Sequence, residues 1–301
     1  MVEVDQVDEH IGVCALCDEE NVVLKESHSI PKFVYQWVKD TGATPYLRSS
    51  DNVNAREQDG PKEYLLCGKC ESCLSAMETE LAEALFRKIA NYRKQALKIE
   101  ITNTMRVGVL SIFWRTLLTS LNRSNDRTEE DKVAVLGFLA SAKKQIRQKI
   151  VTSPIYIVPF HGNPPFYGLP VSMTYLLDRM VGAPDIRFFD NPHRYYAVFK
   201  LPFMFFYIPS EGWGQKIYPD GKFSGLLKMS EIRRMPTFLR DYVFWLAEQF
   251  EMSKRSMSPA SLDRIVRDVS KSKDTTGSHK SMARSRVDKS QTPVSWPMIG
   301  E

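Results

Sequence analysis

A chain of 301 residues, 43% of them apolar, is long enough for two small domains or one large one with a real core. The net charge of +5 is unevenly spread, since residues 1–77 carry 7 Lys/Arg against 14 Asp/Glu while residues 78–150 carry 14 against 8. The longest apolar passage, "YYAVFKLPFMFFYIP", is broken by Lys200 and Pro202 and is too short for a bilayer-spanning helix, so no membrane segment is expected.

The acidic start "MVEVDQVDEH" has no apolar run behind a basic start, which argues against a secretory signal and for a cytoplasmic protein. "CALC" then reads as a knuckle, "NVVLK" as a short strand, and "SIPKFVYQWVK" as an extended turn running into a short helix. Residues 41–63, with Gly42, Pro45, Gly60 and Pro61, read as a loop. Over residues 74–98 the apolar Leu74, Met77, Leu81, Leu85, Ile89, Tyr92 and Ala96 recur at steps of three or four, which predicts a helix with one buried stripe. A second helix over residues 104–122 is apolar around most of its girth and should be central. Thr128 with Asp131 is a capping signal that opens a third helix reaching residue 149.

The character changes after residue 150. "PIYIVPF", "VSMTYLL", "IRFF", "RYYAVFK" and "FMFFYIP" are aromatic and β-branched runs divided by Pro and Gly, which predict an antiparallel sheet over residues 153–213. Helix returns over residues 230–251. Residues 252–301 contain eleven serines and few large apolar groups, so a basic, mostly disordered tail is expected, with a short amphipathic helix over residues 261–270. The expected organisation is α+β: an N-terminal zinc module (1–77), a helical region (78–150), a β-rich half (151–251) and the tail (252–301).

Four of the five cysteines form two C-x-x-C pairs, Cys14 with Cys17 and Cys67 with Cys70. In a reducing compartment such pairs favour a metal over disulfides, and four thiolates suit a structural, tetrahedral zinc. Cys73 follows Cys70 at the same step, so Cys70 and Cys73 are an alternative second pair. A knuckle on a hairpin, followed by a second pair whose last cysteine starts a helix, is the treble-clef pattern, in which metal replaces the core that a small module lacks.

"CALC", "SHSIPKF" and "YLLCGKCE" together resemble the HNH endonuclease family over about a quarter of the chain. The resemblance implies a ββα-metal-like module in which His28 is the general base for phosphodiester cleavage and one divalent ion, Mg or Mn, steadies the leaving oxygen. It makes Glu71 the candidate ligand of that ion, assisted by Ser27 or Glu26, and leaves Lys32 as a candidate phosphate contact. The family usually has Asp or His where this chain has Ser27, and Asn or His where it has Glu71. The family's asparagine before the second cysteine pair is not evident in "GPKEYLLC". His28 packed as a structural residue beside the knuckle therefore stands as the alternative.

Arg106, Arg115, Arg123 and Arg127 could line a phosphate track. His161 and His193, near Asp185 and Asp190, match no ligand template. No glycine-rich phosphate loop or dinucleotide fingerprint occurs, so nucleotide-cofactor chemistry is not expected. The function this sequence points to is metal-dependent cleavage of nucleic acid, DNA foremost, in bacterial or phage conflict, with a protein trigger acting through the C-terminal half. The alternative is a non-catalytic zinc module that binds nucleic acid or a protein partner.

Overall fold

The computed structural model describes residues 10–121, 127–189, 194–214, 217–272 and 277–286. Its mixture of helix and sheet is that of an α+β chain. The first sheet has the order β1-β2-β3, from Ile11–Gly12, Val22–His28 and Lys62–Cys67, all antiparallel. Between β1 and β2 the chain reverses through Asp18 and Asn21, whose positive φ angles of 65° and 56° suit short side chains that tolerate the left-handed region. Pairing of Leu24 with Cys67 and of His28 with Lys62 fixes the β2–β3 register, so that β3 ends beside the knuckle and β2 ends at His28.

Helix α1 (Lys32–Asp40) follows Pro31, whose fixed φ sets the entry. Helix α2 (Gly68–Glu80) starts directly on Cys67, passes through a π-helical turn (Leu81–Phe86) and ends in α3 (Arg87–Ile89). The expected helix over residues 74–98 is corrected at both ends. At its C-terminal end the Asn91 side chain accepts the backbone N–H groups of Arg93 and Lys94 at 2.9 Å each, closing a turn that competes with the helix. The chain then extends as β4 (Lys98–Ile101), which pairs antiparallel with β9 (Gly225–Lys228).

Helix α4 (Asn103–Leu121) is central: Met105, Val107, Val109, Leu110, Ile112, Phe113, Trp114 and Leu117 are all buried. Helix α5 (Glu129–Gln148) opens on the Thr128–Asp131 capping box, and left-handed Lys149 follows its last turn. The large sheet has the order β5-β8-β7-β6, from Tyr156–Pro159, Met204–Pro209, Arg194–Leu201 and Gly182–Phe189, antiparallel throughout. Phe199 meets Phe113 of α4 on one face, with ring centroids 4.6 Å apart. On the other face Tyr196 and Phe205 meet Phe238 and Tyr242 of α7 (Thr237–Arg255). Both faces being covered is why "FMFFYIP" is continuously apolar where a half-exposed strand would alternate.

Three further expectations are corrected. "VSMTYLL" is no strand: a 3-10 turn (Val171–Met173) leads into α6 (Thr174–Arg179), with the Thr174 hydroxyl donating to Val171 O at 2.7 Å. The helix expected from residue 230 starts only at Thr237, after Pro236. The tail expected to be disordered instead forms α8 (Pro259–Lys271), N-capped by Ser258, and α9 (Ser278–Arg284), whose Ser278 and Ser281 are buried against the body. Its last residues, 287–301, lie outside the described residues. Among the described residues no helix is long and apolar enough to cross a membrane.

Candidate functional site

The β1–β2 turn and the start of α2 bring Cys14, Cys17, Cys67 and Cys70 together, with their four sulfur atoms all within 4.8 Å of one another. Cys17 Sγ and Cys67 Sγ are 3.9 Å apart, close to the edge of about 3.8 Å expected for sulfurs around a tetrahedral zinc at 2.3 Å. The donor set therefore fits a metal such as zinc. Cys73, one turn further along α2, is not in the group.

The electrostatics of the pocket suit thiolates. Burial pushes the Cys14 thiol up, but the N–H groups of Cys17, Cys67 and Leu16 outweigh it and bring the thiol down to about 7. One of these contacts runs from Cys67 N–H to Cys14 Sγ at 3.3 Å. Burial and the neighbouring sulfurs drive Cys70 far upward, so without a cation the four groups cannot all ionise together. The knuckle is also fastened from outside: Asp18 takes Lys143 and, at 3.0 Å, Arg147 from α5.

His28 closes β2 with its side chain 13% exposed and Nε2 2.8 Å from Asp59 Oδ1. Burial alone would raise the Asp59 carboxyl, yet His28, the Gly60 N–H and Lys62 hold it at about 2. The Tyr35 ring lies 6.1 Å from the imidazole. Successive residues of a strand face opposite ways, and Ser27 accordingly turns from this group to α2, where its hydroxyl donates to Glu71 Oε2 at 2.6 Å. One turn beyond, Glu78 pairs with Arg115 of α4, whose side chain is 1% exposed. Burial pushes Glu78 up, and Arg115 only partly offsets it; Glu71 and His28 both lie near enough for their charges to act on Glu78. Thr116, next to Arg115, donates to Ser29 O at 3.3 Å and backs the end of β2.

The structure thus places His28 and Glu71 on the two sides of one strand end. Lys32 stands exposed on the first turn of α1. Phe33 and Trp37 pack on Phe86, and Trp37 also stacks on Tyr92, so these aromatics join α1 to the helical rod. The phosphate track is corrected at Arg115, which is buried in its ion pair, and at Arg106, half-buried and donating to Ser153 O at 3.3 Å. Arg123 falls outside the described residues, as do Asp190 and His193, while Asp185 pairs with Arg187 at 2.8 Å. Sequence reasoning missed Asp59, Glu78 and Arg115 as site residues. Only the "QDG" turn, an acid in a glycine-bearing loop, hinted at the first.

Compared with known proteins, the chain matches no family model, no curated protein and no solved structure.

The depressed carboxyl of Asp59 gives a testable pH dependence. A folded-state pKa near 2, below the unfolded value of about 3.9, stabilises the fold fully above pH 4–5, and that contribution is lost as pH falls towards 2. Denaturant titrations from pH 6 to 2.5 should show wild type losing more stability than Asp59→Asn. Parallel losses would remove Asp59 from the acid response.

Proposed function

We propose that the N-terminal module is a zinc-stapled treble clef of HNH-like design, and that His28 is its general base in hydrolysis of a nucleic-acid phosphodiester, DNA foremost. The observation that carries the reading is the His28–Asp59 contact of 2.8 Å at the end of a strand whose preceding residue holds Glu71. A carboxylate against Nε2 keeps the proton on that nitrogen, which leaves Nδ1 to accept a proton from water. Asp59 also stabilises the imidazolium once the proton has moved, the role an acid partner plays in other histidine-based sites.

The cysteines hold zinc, which does no chemistry and fixes β2 and α2 relative to each other. Magnesium commonly takes one or two protein carboxylates and completes its shell with phosphate oxygens and water. Glu71, with Ser27 beside it, is the residue that would hold such an ion, whose part is to neutralise charge developing on the phosphate. The buried Glu78–Arg115 pair sets the position of α2 behind this carboxylate. Lys32 is free to meet a phosphate from the first turn of α1.

A second reading, a zinc module that binds without cutting, is favoured by one observation. One oxygen of Glu71 already accepts from Ser27, and among the described residues no His, Asp or Glu atoms gather around it as the four cysteines do around their centre. The two readings separate in an assay on plasmid, single-stranded DNA and RNA with magnesium or manganese against chelator, zinc content being checked throughout. Cleavage that requires added divalent metal supports the enzyme. Nucleic-acid retention without cleavage under every condition supports the binder.

A further inference from the structure

Residues 41–61 form a long connection between α1 and β3, held internally by the Leu47–Glu57 bridge and by Arg48 donating to Val53 O. A connection of this length usually needs anchoring or has a function. Its anchors come from the far end of the chain. Ser258 N–H donates to Asn54 Oδ1 at 2.9 Å, and Tyr46 O–H donates to Asp268 Oδ2 at 2.8 Å, with Arg56 3.7 Å from the same oxygen. Ser278 N–H donates to Thr41 O at 2.8 Å, and Ser278 Oγ accepts Ala43 N–H at 2.8 Å. Contacts at residues 41, 43, 46, 54 and 56 thus span the loop up to three residues before Asp59.

The other side of the C-terminal segment is fixed to the body. Ser281 Oγ donates to Asp178 Oδ2 at 2.8 Å and lies 2.7 Å from Tyr92 Oη. Arg284 reaches Gly162 O at 2.9 Å and Asp178 at 3.5 Å, and the Tyr175 N–H donates to Ser285 Oγ at 2.7 Å. Asp178 is wholly buried, so this attachment is a docked interface and not a surface contact. The approach is closest at Gly277, which has φ 64° and leaves no room for a side chain: a Cβ there would stand 2.2 Å from Thr41 O.

We propose that residues 256–286 are a positioning strap, which grips the 41–60 loop and thereby sets Asp59 against His28. The strap touches neither His28 nor the cysteines, so its contribution is the orientation of the imidazole and not the integrity of the metal centre. The inference concerns the geometry of the histidine and stands apart from the proposed nuclease activity, because no readout below involves cleavage.

The test compares the full-length zinc-loaded protein with Gly277→Ala and with the double variant Tyr46→Phe/Asp268→Asn. Amide hydrogen exchange is read across the loop, and the His28 imidazole nitrogens are observed by NMR. Both variants should keep zinc and the protection of the β5-β8-β7-β6 sheet, while exchange in residues 41–60 rises by at least about tenfold and the His28 nitrogen shifts lose the signature of a fixed tautomer. Faster exchange confined to residues 256–286, with the loop and the His28 signals unchanged, overturns the proposal. Should Gly277→Ala fail to fold, the double variant, which removes only hydrogen-bonding groups, decides by the same two readouts.

Discussion

Cys67→Ser should lose its metal and unfold the N-terminal module while the large sheet stays folded. Structural zinc contributes on the order of 10 kcal/mol in modules that are unfolded without it, and Cys67 is both one of the four sulfur donors and the cap of α2. The loss should be local because α4 and the β5-β8-β7-β6 sheet share a core built on Phe113, Phe199 and Phe206, which needs no metal. Zinc content with hydrogen exchange resolved by segment checks this. Residues 10–80 should lose protection, and residues 194–209 should keep theirs. Treating wild type with a strong chelator should reproduce the pattern, whereas retained protection of residues 10–80 without metal would mean that packing alone holds the module.

Arg115→Ala is the second large effect. Arg115 is almost fully enclosed and Glu78, its partner, is mostly so. Removing one member of a buried ion pair typically costs about 3–5 kcal/mol, because the remaining charge must be desolvated alone or neutralised. Glu78 already has a raised pKa, through burial first, and loss of the guanidinium raises it further. A carboxyl raised above its unfolded value contributes best when protonated, so the variant's deficit should grow as pH rises from about 4 towards 7. Denaturant midpoints at pH 5 and 7 measure it, and Arg115→Met combined with Glu78→Gln should recover much of the loss. A deficit independent of pH would assign the cost to the cavity and not to the charge.

The parts of this chain that could be read in advance are those written in local spacing. The two C-x-x-C pairs announced a four-sulfur centre, although only the fold separated Cys70 from Cys73, since both lie on one helix at equal steps. Helix α4 showed itself by apolar residues around its whole girth, and α5 by Thr128 and Asp131. What could not be read depends on contacts across long sequence separations. Asp59 gains meaning only when the loop returns beside His28, and Arg115 only when α4 packs against α2. The C-terminal segment misled through composition: serines suggest solvated chain, yet Ser258 caps a helix and Ser278 and Ser281 are buried with hydrogen-bond partners. "VSMTYLL" carried β-like residues into a helix because Pro170 and the Thr174 hydroxyl favour a helical start there.

The most direct test of the central claim is metal-dependent cleavage by zinc-loaded wild type, His28→Ala and Asp59→Asn, assayed side by side on the nucleic acid that wild type cuts. General-base catalysis contributes about 10²–10⁴-fold, so His28→Ala should fall by that factor with its zinc and its α2 protection intact, and Asp59→Asn should fall by less. If His28→Ala, folded and zinc-loaded, cleaves as fast as wild type, His28 is a structural residue of the scaffold and the proposed mechanism is wrong.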